Sequence, residues 1–385
     1  MTHTFVDFLI SLADADTLSR YARDPEATML AAGLSTIQKD AIRNGDAAKI
    51  RRFAAAEMGD TIHGALIKQQ GRSDAGPTDV SDVTSDDTVH NIVENTDLSE
   101  DVVVNGESFF YDHLFEEPVP PAEPQNELVV VGTGIKSANH ITAESRAAIM
   151  SADKVLYCVA DLAVERLIRK LNANTEDLYV FYADDRPRRD TYDQMVDRIL
   201  ESVRSNKSTC VVFYGHPGIF VLPSYRAIRT ARKAGHRAWM LPAISSLDCM
   251  FADVGFDPSR YGCQIFEATD LLIRQRKVDP TAAVVIFQIA CVGDLGYKST
   301  GYEQHNVPIL AAHLAQIYGN DHDAILYEAA QYPICDPMIK RIRIADLANA
   351  QLTGITTLYL PPKERAMTDM DMIDQLGLGV QLTAI

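Results

Sequence analysis

The sequence has few cysteines and no long hydrophobic run, and each scarcity excludes a class of protein. No apolar stretch in the 385 residues reaches the roughly 18 residues that a membrane helix requires. The opening MTHTFVDFLI lacks the basic segment and cleavage site of a signal peptide. The six cysteines show no Cys-x-x-Cys spacing, which argues against zinc and against a disulfide framework. We therefore expect a cytoplasmic protein with free thiols, no membrane anchor and no bound metal.

Basic residues are also scarce, with 36 Lys and Arg against 53 Asp and Glu, for a net charge of −17. Nucleic-acid binding requires a basic face, so we expect no nucleic-acid partner. The acidity is uneven, because no Lys or Arg occurs between Ser73 and Asn126. That region is rich in Asp, Ser, Thr and Pro, a composition that cannot bury enough apolar surface to fold. We predict a leader region at 1–59, an acidic, flexible and extended linker at 60–126, and a larger domain after it.

The first 59 residues contain three clear signals for helix starts. Asp24 precedes Pro25, Ser35 and Gln38 form a capping-box pattern, and Asp46 precedes the run AAKIRRFAAAEM. A small all-α module of this size is marginal alone, so we expect it to dock on something larger. The run FLISLADADTLSRYARDPEATMLAAGLSTIQKDAIRNGDAAKIRRF resembles the leader domain of borosin precursor peptides, which docks on a methyltransferase and presents a core segment. The alternative is a generic helical interaction domain.

From residue 127 the pattern becomes α/β, with buried strand-like runs alternating with helical ones. The first run, ELVVV, leads into Gly132-Thr133-Gly134 and a helical stretch from Thr142. A dinucleotide site is disfavoured, because Ser137 stands where the third glycine of that fingerprint belongs. Two helices are predicted at Thr191–Ser205 and Ser224–Ala234. The other predicted strands are KVLYCV, DLYVFYA, CVVFYG, HRAWMLPA, AAVVIFQIA, AILYEAA and TTLYLPP.

Several motifs in this region resemble the tetrapyrrole methylase superfamily over roughly residues 127–362. They are the first glycine turn, YGHPG after a strand, LPAISS, QIA and GITT. The resemblance implies two α/β lobes, expected at 127–242 and 243–385, that hold S-adenosylmethionine in the cleft between them. It also implies which residues contact this donor and its product S-adenosylhomocysteine. These are Gly132, Gly134, Ile135, Tyr214, His216, Pro217, Ser245, Ser246, Gln288, Ala290, Gly354 and Thr356, although His216 on its own is more typical of a capped loop histidine.

The stretch FYADDRPRRDTYDQM resembles the borosin α-N-methyltransferases, through Tyr182, Arg188 and Tyr192. Arg188 and Tyr192 are four residues apart and share one face once a helix has begun. An amide nitrogen is a poor nucleophile, so methylating it requires loss of its proton and a shift of charge onto the carbonyl oxygen. A guanidinium stabilises that charge, and a tyrosine can accept the proton. We predict Arg188 in the electrostatic role and Tyr192 or Tyr182 as base or positioning hydroxyl; the alternative is a surface Arg/Asp cluster.

The acceptor is the remaining question. The chain end, AMTDMDMIDQLGLGVQLTAI, looks like an ordinary methyltransferase end rather than an appended core, so we expect the core between residues 60 and 125. Leu66 and Ile67 follow the leader directly, whereas Val102, Val103 and Val104 have a longer tether. The resemblance makes a homodimer expected, with transfer in cis or across it. The alternatives are a separate precursor peptide, a tetrapyrrole-like small molecule, or a non-catalytic scaffold that binds S-adenosylmethionine as a signal.

Overall fold

The computed structural model describes residues 4–58, 126–184, 186–299 and 301–378. Nearly all of the predicted linker lies outside these ranges, and so do the candidate core residues Leu66, Ile67, Val102, Val103 and Val104. No helix in the described ranges is long and apolar enough to cross a membrane. The described residues form two compact units. The first lies within Met1–Asp253, Asp294–Gly301 and Ala329–Met338, and the second within Val254–Gly293, Tyr302–Glu328 and Ile339–Ile385.

The leader region is all helical, as predicted. The side chains of Asp24, Ser35 and Asp46 each accept a backbone N–H three residues further on, at 2.9, 3.4 and 2.9 Å. Gln38 completes the capping box by accepting the Ser35 N–H at 2.9 Å. All three predicted helix starts are therefore confirmed. The helices are α1 Thr4–Ser11, α2 Ala15–Arg23, α3 Pro25–Ala31, α4 Thr36–Arg43 and α5 Ala47–Glu57.

The first unit also contains a five-stranded parallel sheet in the order β3-β2-β4-β1-β5. Its first strand is apolar on both faces: Leu128 and Val130 join one buried cluster, and Val129 and Val131 join another on the opposite face. Such continuous apolar runs are typical of parallel strands covered by helices on both sides. The strands are β1 Glu127–Gly132, β2 Lys154–Cys158, β3 Thr175–Asp177, β4 Ser208–Phe213 and β5 Arg237–Met240. The helices are α6 Ala143–Ser151, α7 Leu162–Leu171, α8 Arg188–Ser205, α9 Leu222–Lys233 and α10 Ser246–Met250.

The leader helices pack on α7, which belongs to the same unit. Residues Leu162 and Tyr332 are buried in one apolar cluster with residues of α1, α4 and α5. At the edge of this cluster Arg166 donates two hydrogen bonds to the Asp7 carboxylate, at 2.9 and 3.1 Å, and Lys170 adds a third. The Arg166 bond holds the pKa of Asp7 at about 2. The expectation that the leader docks on a larger body is thus confirmed.

The second unit is built on a mixed sheet in the order β6-β7-β10-β8-β9. β6 runs parallel to β7, and β10 is antiparallel to both β7 and β8. The strands are β6 Cys263–Glu267, β7 Ala283–Phe287, β8 Asp323–Glu328, β9 Met338–Arg343 and β10 Thr357–Leu360. The helices are α11 Pro258–Tyr261, α12 Ala268–Ile273, α13 Val307–Tyr318 and α14 Met370–Gln375.

One sequence-based expectation about these elements is wrong, and two strands were missed. The run DLYVFYA is not a strand, because β3 ends at Asp177 and Leu178–Phe181 form a 3-10 turn. The Asp177 carboxylate accepts the Tyr179 N–H at 2.8 Å and so caps this turn. The edge strands β6 and β9 were not predicted, since β9 reads MIKRIR and is mostly exposed, without the buried apolar run used to find strands.

Candidate active site

The loops that follow β1 and β4 lie side by side, because these two parallel strands are neighbours in the sheet. Gly134 and Gly215 exchange two backbone hydrogen bonds of 3.1 Å each. Both residues have a φ of +69°, in the left-handed region that favours glycine. The chain leaves β1 toward one edge of the sheet and leaves β4 toward the other. Open α/β sheets bind ligands at the carboxyl ends of strands where the connections diverge in this way.

Gly132 shows why this loop pair needs a glycine at the end of β1. A Cβ added there would lie 2.1 Å from the carbonyl oxygen of Gly215 and 2.7 Å from Cδ of Pro217. Ile135 is buried in the same loop pair, and so is Pro217. These predicted donor-site residues therefore shape the loops through close packing.

The side chains of the YGHPG loop have different surroundings. Nδ1 of His216 accepts the Gly218 N–H at 2.9 Å, so this ring nitrogen caps its own loop. The neighbouring Tyr214 is 37% exposed and is the most accessible residue of the loop. Ser245 lies in the segment that follows β5, and its side chain is hydrogen bonded within the protein. Its hydroxyl donates to Asp248 at 2.6 Å in a capping box. Ser246, the first residue of α10, is half-buried.

Four further residues that were predicted to contact S-adenosylmethionine lie in the second unit. Gln288 has left-handed backbone angles (φ 59°, ψ 32°) directly after β7, and the buried Ala290 lies in the 3-10 turn that follows. Strained non-glycine conformations of this kind concentrate at functional sites. The Thr356 hydroxyl donates to the carboxylate of Glu328 and is buried. A Cβ added at Gly354 would meet only Tyr302, at an ordinary 3.8 Å, so packing does not require a glycine there.

Tyrosine side chains cluster beside the start of α8. The ring centroid of Tyr182 lies 4.9 Å from that of Tyr179 and 4.7 Å from that of Tyr297. The hydroxyls of Tyr179 and Tyr297 are hydrogen bonded at 2.9 Å, and Tyr182 is hydrogen bonded to Tyr192. The structure therefore brings the two predicted tyrosines into direct contact and adds two more.

The environment of Tyr182 favours its neutral, protonated form. Burial raises the pKa of Tyr182 above its ordinary value of 10, and the bond to Tyr192 raises it further. Tyr182 therefore keeps its proton over the physiological pH range, and it can donate that proton in a hydrogen bond to Tyr192 when Tyr192 is ionised.

Arg188 is the first residue of α8, and Tyr192 follows one turn later on the same face. The Arg188 N–H donates to the carbonyl oxygen of Leu295 at 2.9 Å, and Pro187 forms a bridge with Gly296. The segment that fixes this helix start also carries Tyr297 of the cluster. Arg188, Tyr182 and Tyr192 therefore lie in one small region of the first unit.

Sequence reasoning missed Tyr179 and Tyr297. The strand predicted over DLYVFYA hid the 3-10 turn that turns Tyr179 toward Tyr182. Tyr297 lies 118 residues beyond Tyr179 in the chain, and its surroundings, GDLGYKS, have no pattern that links it to α8. The two segments meet through backbone pairing, in which the Arg188 N–H donates to Leu295 and the Tyr297 N–H donates to Arg186.

Comparison with known families agrees with this architecture. The family model described as Tetrapyrrole (Corrin/Porphyrin) Methylases matches residues 127–334, which is more than half of the chain. The matched range begins at β1 and includes both glycine loops and the tyrosine cluster. The chain belongs to the tetrapyrrole methylase family.

Individual relatives narrow this class. The chain is 43% identical over 265 residues to a methyltransferase/type III borosin cyclic peptide precursor of Anomoporia bombycina, covering 68% of this chain and 31% of that protein. It is 42% identical over 250 residues to the methyltransferase/dendrothelin A precursor of Dendrothele bispora, with coverages of 64% and 60%. It is 41% identical over 255 residues to the methyltransferase/omphalotin A precursor of Omphalotus olearius, with coverages of 65% and 61%. The chain thus spans less than two thirds of each of these relatives, and the predicted borosin resemblance is confirmed.

Proposed function

We propose that the chain is an S-adenosylmethionine-dependent methyltransferase that methylates backbone amide nitrogens of a ribosomally made peptide. The contact between Tyr182 and Tyr192, one helical turn from Arg188, is the observation that carries this proposal. Relatives that are named methyltransferase and peptide precursor at once support an acceptor within the same polypeptide. The proposed acceptor is the 60–126 region, with its core at Leu66–Ile67 or at Val102–Val104.

The proposed chemistry assigns one task to each side chain. Tyr192 is proposed to act in its ionised form, with the negative charge on its oxygen stabilised by a hydrogen bond from Tyr182 and by the nearby Arg188 guanidinium. This phenolate oxygen accepts the proton of the amide nitrogen and becomes a neutral hydroxyl. As the nitrogen loses its proton, negative charge moves onto the amide oxygen. The Arg188 guanidinium, at the positive end of the α8 dipole, stabilises that oxygen. The nitrogen then gains the methyl group.

The methyl donor is proposed to bind against the glycine loops. When bound, S-adenosylmethionine supplies a methyl group on a sulfonium and leaves as the neutral thioether S-adenosylhomocysteine. The loop pair fits such a ligand, since the backbones at Gly134 and Gly215 meet without side chains between them and Tyr214 is exposed beside them. The hydroxyls of Ser245 and Thr356 fit less well as ligand contacts, because both are hydrogen bonded to carboxylates of the chain.

The test is mass spectrometry of the purified full chain after incubation with S-adenosylmethionine. We expect successive one-methylene increments in the intact mass, which fragmentation assigns to residues 60–126. Arg188→Ala is expected to abolish the increments while leaving donor binding unchanged. Arg189→Ala is the matched control, since Arg189 is exposed and lies 3.9 Å from Asp193 on the same helix turn.

Other outcomes separate the alternatives. Increments that appear only on an added precursor peptide would assign the chain a separate substrate. Methylation of an added tetrapyrrole, with none on any peptide, would replace the proposal by a small-molecule activity. Loss of increments in Arg189→Ala but not in Arg188→Ala would overturn the assigned role of Arg188.

We also propose that the protein acts as a homodimer in the cytoplasm. All six cysteines lie in the part of the chain that the structure describes, and none of them forms a disulfide. Free thiols are typical of proteins in a reducing compartment. The borosin resemblance supports the homodimer. Light scattering of the full chain at several concentrations tests it, and a constant monomer mass would contradict it.

A further inference from the structure

The leader helices touch the loop that follows β1. The side-chain amide of Asn139 donates to the carbonyl oxygen of Leu12 at 2.6 Å. Leu12 directly follows α1, and Asn139 lies in the 3-10 turn Ser137–His140 of the loop. A leader residue is therefore bonded to a segment that begins only a few residues beyond Gly134.

A second connection runs through Tyr332. This residue is fully buried in the apolar cluster formed with the leader helices, and its hydroxyl donates to Oδ2 of Asp161 at 2.6 Å. The other carboxylate oxygen of Asp161 accepts the hydroxyl of Ser137 at 3.2 Å and the N–H of Val164 at 2.9 Å. Asp161 thus connects the leader-packed cluster to the same loop and caps α7.

The loop needs such support. Ser137 has a φ of 41°, a left-handed conformation that is unfavourable for a non-glycine residue and persists only where its surroundings impose it. It is also 3% exposed, so its hydroxyl depends on partners within the protein. The loop is joined at its other end to the YGHPG loop by the Gly134–Gly215 hydrogen bonds. We therefore expect a change at Ser137 or Asn139 to alter the backbone conformation at Gly134 and Gly215.

We propose that the docked leader holds the loop at residues 132–141 in its donor-binding conformation, with Asn139, Asp161 and Tyr332 as positioning residues. The identity of the donor rests on the function proposed above, whereas the coupling between leader and loop does not. Because coupling between two sites is reciprocal, a bound donor in turn strengthens leader docking. The leader then has a second role besides presenting a peptide: it completes the donor site.

The first measurement is calorimetric binding of S-adenosylhomocysteine to the full chain. Asn139→Ala and Tyr332→Phe are each expected to weaken binding by about fivefold or more, the low end of usual coupling between sites. Asp7→Asn is the matched control, because it removes a leader contact that does not touch the loop. Its dissociation constant is expected to stay within about twofold of the wild type. An equal weakening by all three variants would overturn the assignment, since it would indicate general loosening.

The second measurement is hydrogen exchange of the same proteins without donor. Tyr332→Phe should speed exchange of the amides of Ile135 and Lys136, whose N–H groups bond to His140 inside the loop, while exchange in α1 stays unchanged. Unchanged loop exchange in both Tyr332→Phe and Asn139→Ala would refute the coupling. If the wild-type chain binds no S-adenosylhomocysteine but the variants still show faster loop exchange, the proposed function is refuted and the coupling between leader and loop is not.

Discussion

Replacing Gly132 by alanine tests the packing of the two glycine loops. The added methyl would lie 2.1 Å from the Gly215 oxygen, 2.6 Å from Cβ of Ala243 and 2.7 Å from Cδ of Pro217. Comfortable contacts between such atoms begin at about 3.5 Å, so the Gly215 oxygen would have to move away by about 1.4 Å. Backbone oxygen and a proline ring cannot rotate away, and the two 3.1 Å bonds between Gly134 and Gly215 would break.

The expected cost is at the upper end of the overpacking range, about 3 kcal/mol. For 385 residues unfolding together, that lowers the melting temperature by about 4 °C. If half of the cost falls on the donor-binding conformation, affinity for S-adenosylhomocysteine drops about tenfold, since each 1.4 kcal/mol corresponds to a factor of about ten.

Thermal melting and calorimetry measure the two effects. Gly354→Ala is the matched variant for melting, because its methyl would meet only Tyr302 at 3.8 Å; its melting temperature should match the wild type. If Gly132→Ala has the melting temperature of the wild type and binds S-adenosylhomocysteine equally well, the close packing of the two loops is not the basis of the site.

Further predictions concern groups around this site and the leader. Tyr182→Phe removes the hydrogen bond to Tyr192, so methylation should slow by about 10–100-fold. The pH at which the methylation rate rises should increase, while the affinity for the methyl donor stays unchanged. An unaltered pH profile would contradict the acceptor role of Tyr192. Burial raises the pKa of Asp177 to about 6 from 3.8, so the folded state holds this proton more tightly and stability falls as pH rises through that window. Asp177→Asn should remove this slope in urea titrations, and an unchanged slope would argue against it. The pKa of Asp7 is held at about 2 by its hydrogen bond to Arg166, so its contribution is present above pH 3.8 and lost as pH falls toward 2. Asp7→Asn should cost up to about 1 kcal/mol at neutral pH, with no loss at about pH 2, as expected for an exposed pair.

Much of the fold was predictable because its signals are local. Helix starts at Asp24, Ser35 and Asp46 depend on a side chain and an N–H three residues away, and the structure contains each of these bonds. The central strands were predictable because β1 and β4 are buried on both faces and read as apolar runs. The edge strand β9 lacks that burial and therefore lacks the signal.

The candidate site was predictable only where its residues are close in sequence. Arg188 and Tyr192 lie on one helix turn, so their spacing shows that they share a face. Tyr297 reaches Tyr182 through backbone pairing between Arg188 and Leu295, which no single stretch of sequence encodes. The sequence also could not show whether the Ser245 hydroxyl contacts a ligand or caps a helix. The structure shows that it donates to Asp248.

The burial of Tyr332 and Leu162 among leader side chains has an evolutionary consequence. In a two-protein system the leader sequence can drift as long as its affinity for the enzyme survives. Here its apolar residues are part of the core that stabilises the first unit, so a substitution such as Phe5→Ser lowers the stability of the whole unit. We expect the leader to evolve at the pace of the enzyme's interior, and an added free leader peptide to exchange with it only when the unit unfolds.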